Sequence, residues 1–122
     1  MEHVTETPTM QAAAERFTGD VYLNMIEPPS EPSRLVAALV RFTPGARTNW
    51  HSHALGQVLC ITDGVGLVGT RDGHVVRVSA GETVRCPAGE EHWHGATDTN
   101  LMAHAFVRIT RHRGRCRSGG FR

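Results

Sequence analysis

The sequence has no lysine, no CxxC pair and no long apolar run. Its thirteen basic residues are all arginine, in a chain of 122 residues. The longest apolar run, Leu35–Val40, is far shorter than the ~20 residues of a membrane-spanning helix, which excludes such a span. The opening MEHVTETPTM has neither a basic start nor an apolar centre, so we expect no secretory signal.

Cysteine is scarce, and its spacing does not indicate a disulfide framework. The three cysteines are Cys60, Cys86 and Cys116. Cys60 and Cys86 fall in strand-like runs, so we expect both to be small buried hydrophobic residues rather than disulfide partners. With no secretory signal, this usage predicts a reducing, cytoplasmic setting.

The formal net charge of +1 conceals an uneven distribution of arginine. Residues 1–107 hold seven arginines against all twelve acidic residues, a net charge of −5, and the remaining six arginines follow. Residues 111–122 are therefore interpreted as a solvated, Arg-rich C-terminal tail. No basic stripe with interleaved aromatic residues crosses the rest of the chain, so specific nucleic-acid binding is not expected.

The chain length fits one domain, and the hydrophobic pattern favours strands. Short apolar or alternating runs are separated by turn residues, and Arg71-Asp72-Gly73 is typical of a tight hairpin. The predicted strands are Val21–Ile26, Leu35–Phe42, Gln57–Ile61, Val65–Arg71, His74–Val78, Thr83–Cys86 and Leu101–Ile109. This predicts an all-β antiparallel sandwich or barrel over residues 15–110, after an N-terminal arm of residues 1–14, with one short helical turn within Met10–Phe17.

The stretch NWHSHALGQ brings two histidines into a metal-ligand spacing. His51 and His53 point the same way on an extended backbone. Gln57 can join them only if the chain bends, because four extended residues span about 13 Å. Gly56 is the residue that permits such a bend.

Three further histidines follow in strand-like sequence. His92 and His94 repeat the two-residue spacing, and His104 shares a strand face with Met102 and Phe106. The other three histidines are expected to have structural or surface roles; they are His3, His74 and His112.

The two histidine pairs belong to longer patterns. The run G-x5-H-x-H-x3-Q-x6-G extends from Gly45 to Gly64, and G-x5-P-x-G-x2-H extends from Gly81 to His92. They resemble the two motifs of the cupins, with Gln57 where the first motif usually has Glu and Ala96 where the second usually ends in Asn. The resemblance covers residues 15–110 and implies a single-domain jelly roll, or double-stranded β-helix.

The resemblance also implies a metal site inside the barrel. Its ligands would be His51, His53, Gln57 and His92. Imidazole nitrogens with an amide oxygen suit Mn, Fe, Ni, Co or Zn. Among these metals, a resemblance to manganese-dependent cupins implies manganese first. All four ligands are uncharged, so the ion keeps its full charge, which favours Lewis-acid chemistry over redox cycling.

A narrower resemblance concerns the reaction. GARTNWHSHALGQ, PAGEEHWHGA and the histidine of LMAHAF are similar to small bacterial cupins that include the manganese-dependent hydroxynitrile lyases. This implies cleavage and formation of cyanohydrins, with His94 or His104, at a pKa near neutrality, moving the proton and Thr48 near the metal. Strand parity places three apolar residues on one face as the expected substrate wall: Ala38, Val40 and Phe42.

Alternative functions stay open at this point. A cupin dioxygenase that cleaves a diketone or aromatic substrate would consume oxygen, an isomerase or decarboxylase would not, and a metal- or ligand-binding cupin would show no turnover. The expected small-molecule partner is common to all. Exposed sheet edges also favour a homodimer.

Overall fold

A computed structural model describes residues 1–110 of the chain. The predicted Arg-rich tail and His112 lie outside these described residues. Between residues 1 and 110 all regular secondary structure is β, without a helix. In the same range no helix has the length and apolar character to cross a membrane.

Ten strands lie within residues 1–110. In chain order they are β1 (Thr9–Gln11), β2 (Phe17–Thr18), β3 (Val21–Glu27), β4 (Leu35–Phe42), β5 (Arg47–Thr48), β6 (Gln57–Thr70), β7 (Val75–Ser79), β8 (Thr83–Cys86), β9 (His92–Ala96) and β10 (Met102–Ile109). The hairpin predicted at residues 71–73 joins β6 to β7, with the Thr70 backbone N–H donating to the His74 carbonyl at 3.0 Å. The predicted longer strands are thus confirmed to within a residue or two at most ends.

The long strand β6 belongs to both sheets of an antiparallel jelly roll. Its first half pairs with β10 and β8, in a first sheet ordered β1-β3-β4-β10-β6-β8. Its second half pairs with β9 and β7, in a second sheet ordered β2-β5-β9-β6-β7. The all-β jelly-roll prediction is confirmed, and the core lies between the two sheets.

A β-bulge lets β6 pass from one sheet to the other. The register against β10 shifts between the pairs Ala103–Asp63 and His104–Ile61, and Gly64 adopts a φ of 75°. A side chain at Gly64 would collide with the Leu101 carbonyl. The sequence predicted a break at Thr62-Asp63-Gly64; the turn-forming residues instead make a bulge inside one strand.

The bulge also changes which residues of β6 face the core. Leu59 and Ile61 are buried before it, and Val68 is buried after it, so the buried positions change from odd to even numbers. Cys86 is buried as expected, but the prediction was wrong for Cys60, which is exposed because it lies on the outer face of β6. Both are free thiols.

The N-terminal segment forms strand where a helical turn was predicted. Thr9–Gln11 pairs with β3, so residues there extend the first sheet. What remains of the helical turn is a single hydrogen bond, from the Arg16 N–H to the Ala13 carbonyl at 3.0 Å. The segment MQAAAERF has too few apolar residues to bury one face of a helix. The edge of β3 offers its backbone hydrogen-bond partners instead.

Candidate metal centre

The loop between β5 and β6 bends sharply to carry three candidate ligands. The Gly56 N–H donates to the His53 carbonyl at 3.1 Å, and Gly56 adopts a φ of 86°. Its Cα faces the Cys86 carbonyl so closely that an added Cβ would lie 2.8 Å from that oxygen. Only glycine fits this bend without strain, as the sequence predicted, and Gln57 is thereby turned back toward the histidines.

A pair of backbone hydrogen bonds fixes the fourth candidate ligand opposite this loop. The His51 N–H donates to the His92 carbonyl at 3.0 Å, and the His92 N–H donates to the His51 carbonyl at 2.9 Å. His92 begins β9 in the second sheet. The two motifs, far apart in sequence, are therefore joined by main-chain bonds directly at the site.

The ligand atoms of His51, His53 and His92 all lie within 4.8 Å of one another. All three rings are buried. The Nδ1 of His51 donates to the Asn49 carbonyl at 2.8 Å, and the Nδ1 of His92 donates to the Glu90 carbonyl at 3.1 Å. These bonds orient each Nε2 toward the cluster, which is the usual way a protein presents an imidazole to a metal.

These residues fit a divalent transition metal. The Nε2 of His92 has no hydrogen-bond partner among the described residues, although it is buried. A buried acceptor without a partner is unfavourable unless a ligand occupies it. The carboxamide of Gln57 is also buried, beside His53. Three imidazoles and an amide form a donor set that binds transition metals in preference to calcium or magnesium.

The site also keeps its histidines uncharged. Burial, and after it the charge of the neighbouring His92, lower the pKa of His51 to about 4. Burial, then the charges of His51 and Arg108, lower the pKa of His53 to about 2. Burial likewise lowers the pKa of His92. Neutral imidazole is the form that binds metal, so the rings are ready to act as ligands at neutral pH.

His94 and His104 form a hydrogen-bonded pair across the core. Nε2 of His104 lies 3.1 Å from Nδ1 of His94, although β10 and β9 belong to different sheets. The His94 N–H donates to the Thr48 hydroxyl oxygen at 3.1 Å. Thr48 thus holds the backbone of His94, and the His94 ring centroid is 5.2 Å from that of His51.

The expectation of a histidine with a near-neutral pKa is wrong for this pair. Both rings are wholly buried, and burial lowers the pKa of His104 to about 3. Burial first, and the neighbouring histidines second, lower the pKa of His94 well below 6.5. Water is excluded from both rings, so the charged form is poorly solvated and the neutral pair persists at neutral pH.

A cavity of about 500 Å³ is lined by residues of β3, β4 and β10, among them Phe106, whose ring centroid lies 6.3 Å from that of His104. Ala38 and Val40, which strand parity placed on one face, line it together with Phe17 and Phe106. Phe42 lies on the same face of β4 but packs against the rings of His104 and His94, with centroid separations of 5.4 and 5.8 Å. Phe42 therefore contacts this histidine pair rather than the cavity.

One buried residue of this region, Arg108, was not predicted from the sequence. It was counted with the basic C-terminal run, yet it lies in β10 with only 5% of its surface exposed, and it lines the cavity. The signal was strand parity, since Arg108 continues the buried series of His104 and Phe106. By contrast, His3 and His74 are exposed, as expected.

Comparison with known proteins agrees with this architecture. A family model described as Cupin domain matches residues 38–108. The chain is 40% identical over 94 residues to an (R)-mandelonitrile lyase of Granulicella tundricola, covering 77% of this chain and 72% of that one.

Solved structures share the fold over most of the chain. A cupin-like protein of Thermotoga maritima has a TM-score of 0.86 and 30% identity, covering 98% of this chain and 90% of its own. The polyketide cyclase RemF of Streptomyces resistomycificus has a TM-score of 0.75 and 21% identity, covering 88% of this chain and 78% of its own. On its motifs, fold and relatives, this chain belongs to the cupin family.

Proposed function

We propose that this chain is a metal-dependent lyase that cleaves cyanohydrins to an aldehyde and hydrogen cyanide, and forms them in reverse. The observation that carries the proposal is the convergence of three histidine nitrogens within 4.8 Å, next to a neutral glutamine and a buried histidine pair. The 40% identity to a mandelonitrile lyase supports the same reaction class.

His51, His53, Gln57 and His92 would hold the metal, for which we propose manganese. A bound divalent cation would supply Lewis acidity toward the oxygen of the substrate, and four uncharged ligands would leave its charge undiminished. A carboxylate at position 57 would neutralise part of that charge. The glutamine thus favours a reaction in which negative charge develops on an oxygen.

The histidine pair moves the proton. Cleavage removes the hydroxyl proton, forms the carbonyl and releases cyanide with the electron pair of the broken carbon–carbon bond. Nδ1 of His94 is engaged by His104, so Nε2 is the His94 nitrogen that exchanges a proton with the substrate. A neutral imidazole of such low pKa is a weak base, and it can accept the hydroxyl proton because Lewis acidity at the substrate oxygen would make that proton more acidic. Because its pKa is low, it readily returns that proton to the departing cyanide.

The apolar cavity holds the organic part of the substrate. Ala38 and Val40 are small, so the wall that they form leaves room for a ring or a branched chain. Such a lining also excludes water, which strengthens electrostatic interactions at the site.

Metal analysis and an activity assay together test the proposal. Protein purified without added metal is analysed for its metal content, and mandelonitrile cleavage is followed with an oxygen electrode in the same cell. Benzaldehyde formation without oxygen uptake is the expected result. Oxygen uptake with a diketone, or binding without any turnover, would contradict the lyase assignment.

Variants of the histidine pair sharpen the test. His94→Ala and His104→Ala are expected to retain the metal and lose most turnover, because general acid–base catalysis contributes about 10²–10⁴-fold. His74→Ala, at an exposed hairpin position, is the matched control and should behave like the unmodified protein. Full activity in both pair variants would remove the proton-transfer role.

We also propose that two copies of the chain associate. The outer face of β4 and β10 exposes Leu35, Val107 and Ile109, and Leu35 pairs directly with Ile109 in the sheet. A contiguous apolar face on a sheet is unfavourable in water, and a second copy related by a two-fold axis would cover it.

A further inference from the structure

We infer that Arg71 is a positioning residue for the metal centre, because it links the two residues that directly precede His51 and His92. Those residues are Trp50 and Glu91, and together with Arg71 they form what we call the Arg71 clamp. The clamp holds two proposed ligands from different motifs at a fixed separation. The inference rests on the proposed metal ligands but not on the proposed reaction.

The clamp lies on the opposite side of the backbone from the ligand rings. Adjacent residues of an extended chain point to opposite faces. His51 and His92 are buried, whereas the residue before each is not: Trp50 is partly exposed and Glu91 is exposed. Arg71 is exposed as well. The three side chains can therefore act on the ligands only through the main chain.

Arg71 contacts both of its partners at once. The central carbon of its guanidinium lies 4.0 Å from the centre of the Trp50 ring. Its Nε donates to Oε1 of Glu91 at 3.2 Å, and the two groups form an ion pair. A planar guanidinium can stack on an aromatic ring through its face while it donates through its edge. One side chain thus connects the residue before His51 to the residue before His92.

The backbone that carries Arg71 is itself fixed relative to the centre. Thr70, the last residue of β6, pairs with His92 in the sheet. The same register places Arg71 opposite Glu91. In the turn that follows, Oδ1 of Asp72 accepts a hydrogen bond from the Thr70 hydroxyl at 2.6 Å. The position of Arg71 is therefore set by the sheet and by the turn.

The main-chain pairing at His51 is short enough to need such a link. His51 and His92 form an isolated bridge, outside the ladders of the named strands. An isolated pair opens more easily than a pair inside a ladder, since few other contacts hold it closed. An exposed ion pair and an exposed cation–π contact each change an equilibrium constant by about two- to fivefold. We expect the clamp to reduce opening of the bridge by about three- to tenfold on this basis.

Hydrogen exchange of the chelator-treated full chain, followed by NMR, tests the clamp without any metal. The probes are the amide protons of His51 and His92, which donate to each other's carbonyl groups. In Arg71→Gln both should exchange about three- to tenfold faster, while amides within β10 keep their rates. Arg71→Lys keeps the charge but lacks the planar face, so it should restore part of the protection.

Calorimetric titration with manganese measures the consequence for metal binding. The dissociation constant should rise by about three- to tenfold in Arg71→Gln, because the ligands must first be brought together. Glu91→Gln and Trp50→Leu should each cause part of this increase. Either one should add little to Arg71→Gln, because contacts within one cluster are not additive.

A matched control separates the clamp from the loss of a surface arginine. Arg41 is exposed in the first sheet, where its Nη1 donates to Oδ1 of Asn24 at 2.9 Å. Arg41→Gln makes the same change of charge and should alter neither the exchange of the two amides nor the manganese affinity. Glu91→Gln, which conserves the shape of the side chain, provides a second test if Arg71→Gln does not fold.

Two results would overturn the inference. One is unchanged exchange of the His51 and His92 amides in Arg71→Gln and in Glu91→Gln. The other is an equal acceleration of these amides and those of β10, which would assign Arg71 a general structural role.

The outcomes also separate this inference from the proposed reaction. A protein in which Arg71 controls exchange and manganese affinity, but which cleaves no cyanohydrin, would support the clamp and contradict the lyase. Cleavage of mandelonitrile, with exchange and manganese affinity unchanged in Arg71→Gln, would support the lyase and overturn the role of Arg71.

Discussion

At the scale of single residues, the centre is defined by five buried imidazoles that pack against one another. His51 and His92 have ring centroids 4.5 Å apart, and His94 and His104 have centroids 4.8 Å apart. A proton on any of these rings would be poorly solvated because the ring is buried. Protonating a second ring would also bring two positive charges close together, and they would repel each other. The folded chain therefore holds neutral histidines that the unfolded chain would protonate in weak acid.

The metal-free protein should lose stability as the pH falls from about 6.5 to 5. The folded pKa values of His51, His53 and His104 are about 4, 2 and 3, against about 6.5 in an unfolded chain. In that interval the unfolded chain takes up protons that the folded chain does not. The free energy of unfolding should fall by about 1.4 kcal/mol per pH unit for each such histidine.

Urea unfolding of chelator-treated protein at several pH values measures this slope. His104→Phe removes one wholly buried imidazole and should reduce the slope by about one proton's contribution, about 1.4 kcal/mol per pH unit. A stability that stays constant between pH 7 and 5 would show that these rings are protonated in the folded chain.

At the scale of elements, the loop of residues 51–57 determines whether the ligands meet. Its bend brings Gln57 to the start of β6, where the carboxamide faces the histidines. The bend depends on the positive φ of Gly56 and on its close approach to the Cys86 carbonyl. A larger residue would push the loop away from β8 and carry Gln57 with it.

Gly56→Ala should therefore weaken metal binding more than a glycine-to-alanine substitution that causes similar backbone strain elsewhere in the chain. The substitution costs about 1–2 kcal/mol for the left-handed conformation and adds a contact at 2.8 Å. Gly81→Ala is the control, because Gly81 has a similar φ of 93° and an added Cβ meets nothing within 4 Å. Metal content after dialysis is the measurement, and equal losses in both variants would contradict a specific role for the loop.

The strands that could be predicted from the sequence are those whose hydrophobic pattern extends over several residues. The apolar series of Leu35–Phe42 and the bend at Gly56 followed from strand parity and from the reach of an extended chain. The two-residue strands β2 and β5 are too short to show any period. Thr62-Asp63-Gly64 reads as a turn, and only pairing with β10 converts it into a bulge.

The convergence of His51, His53 and His92 could be predicted from the motifs, whereas the low pKa values of His94 and His104 could not. Both histidine pairs share a face by the two-residue period, so their convergence could be deduced from the motifs. The contact between His94 and His104 joins two sheets, and complete burial lowers their pKa values. Neither the contact nor the burial can be read from local spacing, because both arise from how the sheets pack.

At the scale of the whole molecule, the proposed metal would connect the two sheets. Gln57 starts β6 in the first sheet, and His92 starts β9 in the second. A ligand that binds only the folded arrangement stabilises it by mass action. Metal binding and folding stability should therefore be coupled.

Manganese at 100 times its dissociation constant should raise the free energy of unfolding by about 2.7 kcal/mol, and a chelator should reverse this. His92→Ala should abolish the increase, since the variant loses the ligand from the second sheet. His74→Ala, at the exposed hairpin, should retain it. Urea titrations with and without manganese make the comparison, and an increase that persists in His92→Ala would exclude His92 as a ligand.

The outer face of β4 and β10 decides whether the molecule is a monomer. Ile109 is 50% exposed, and its neighbours Leu35 and Val107 extend the apolar surface across both strands. Ile109→Glu would place a charge at the centre of a contact between two copies, and burying an unpaired charge is strongly unfavourable. We therefore expect the variant to sediment as a monomer where the unmodified protein sediments as a dimer.

Val75→Glu is the matched control, because Val75 is also 50% exposed but lies on β7, in the second sheet. It should leave the dimer intact, and analytical ultracentrifugation over a range of concentrations compares the three proteins. A monomer in all three, or dissociation by Val75→Glu alone, would contradict pairing through β4 and β10. Retention of metal in monomeric Ile109→Glu would show that each copy forms its own centre, as expected when all four proposed ligands come from one chain.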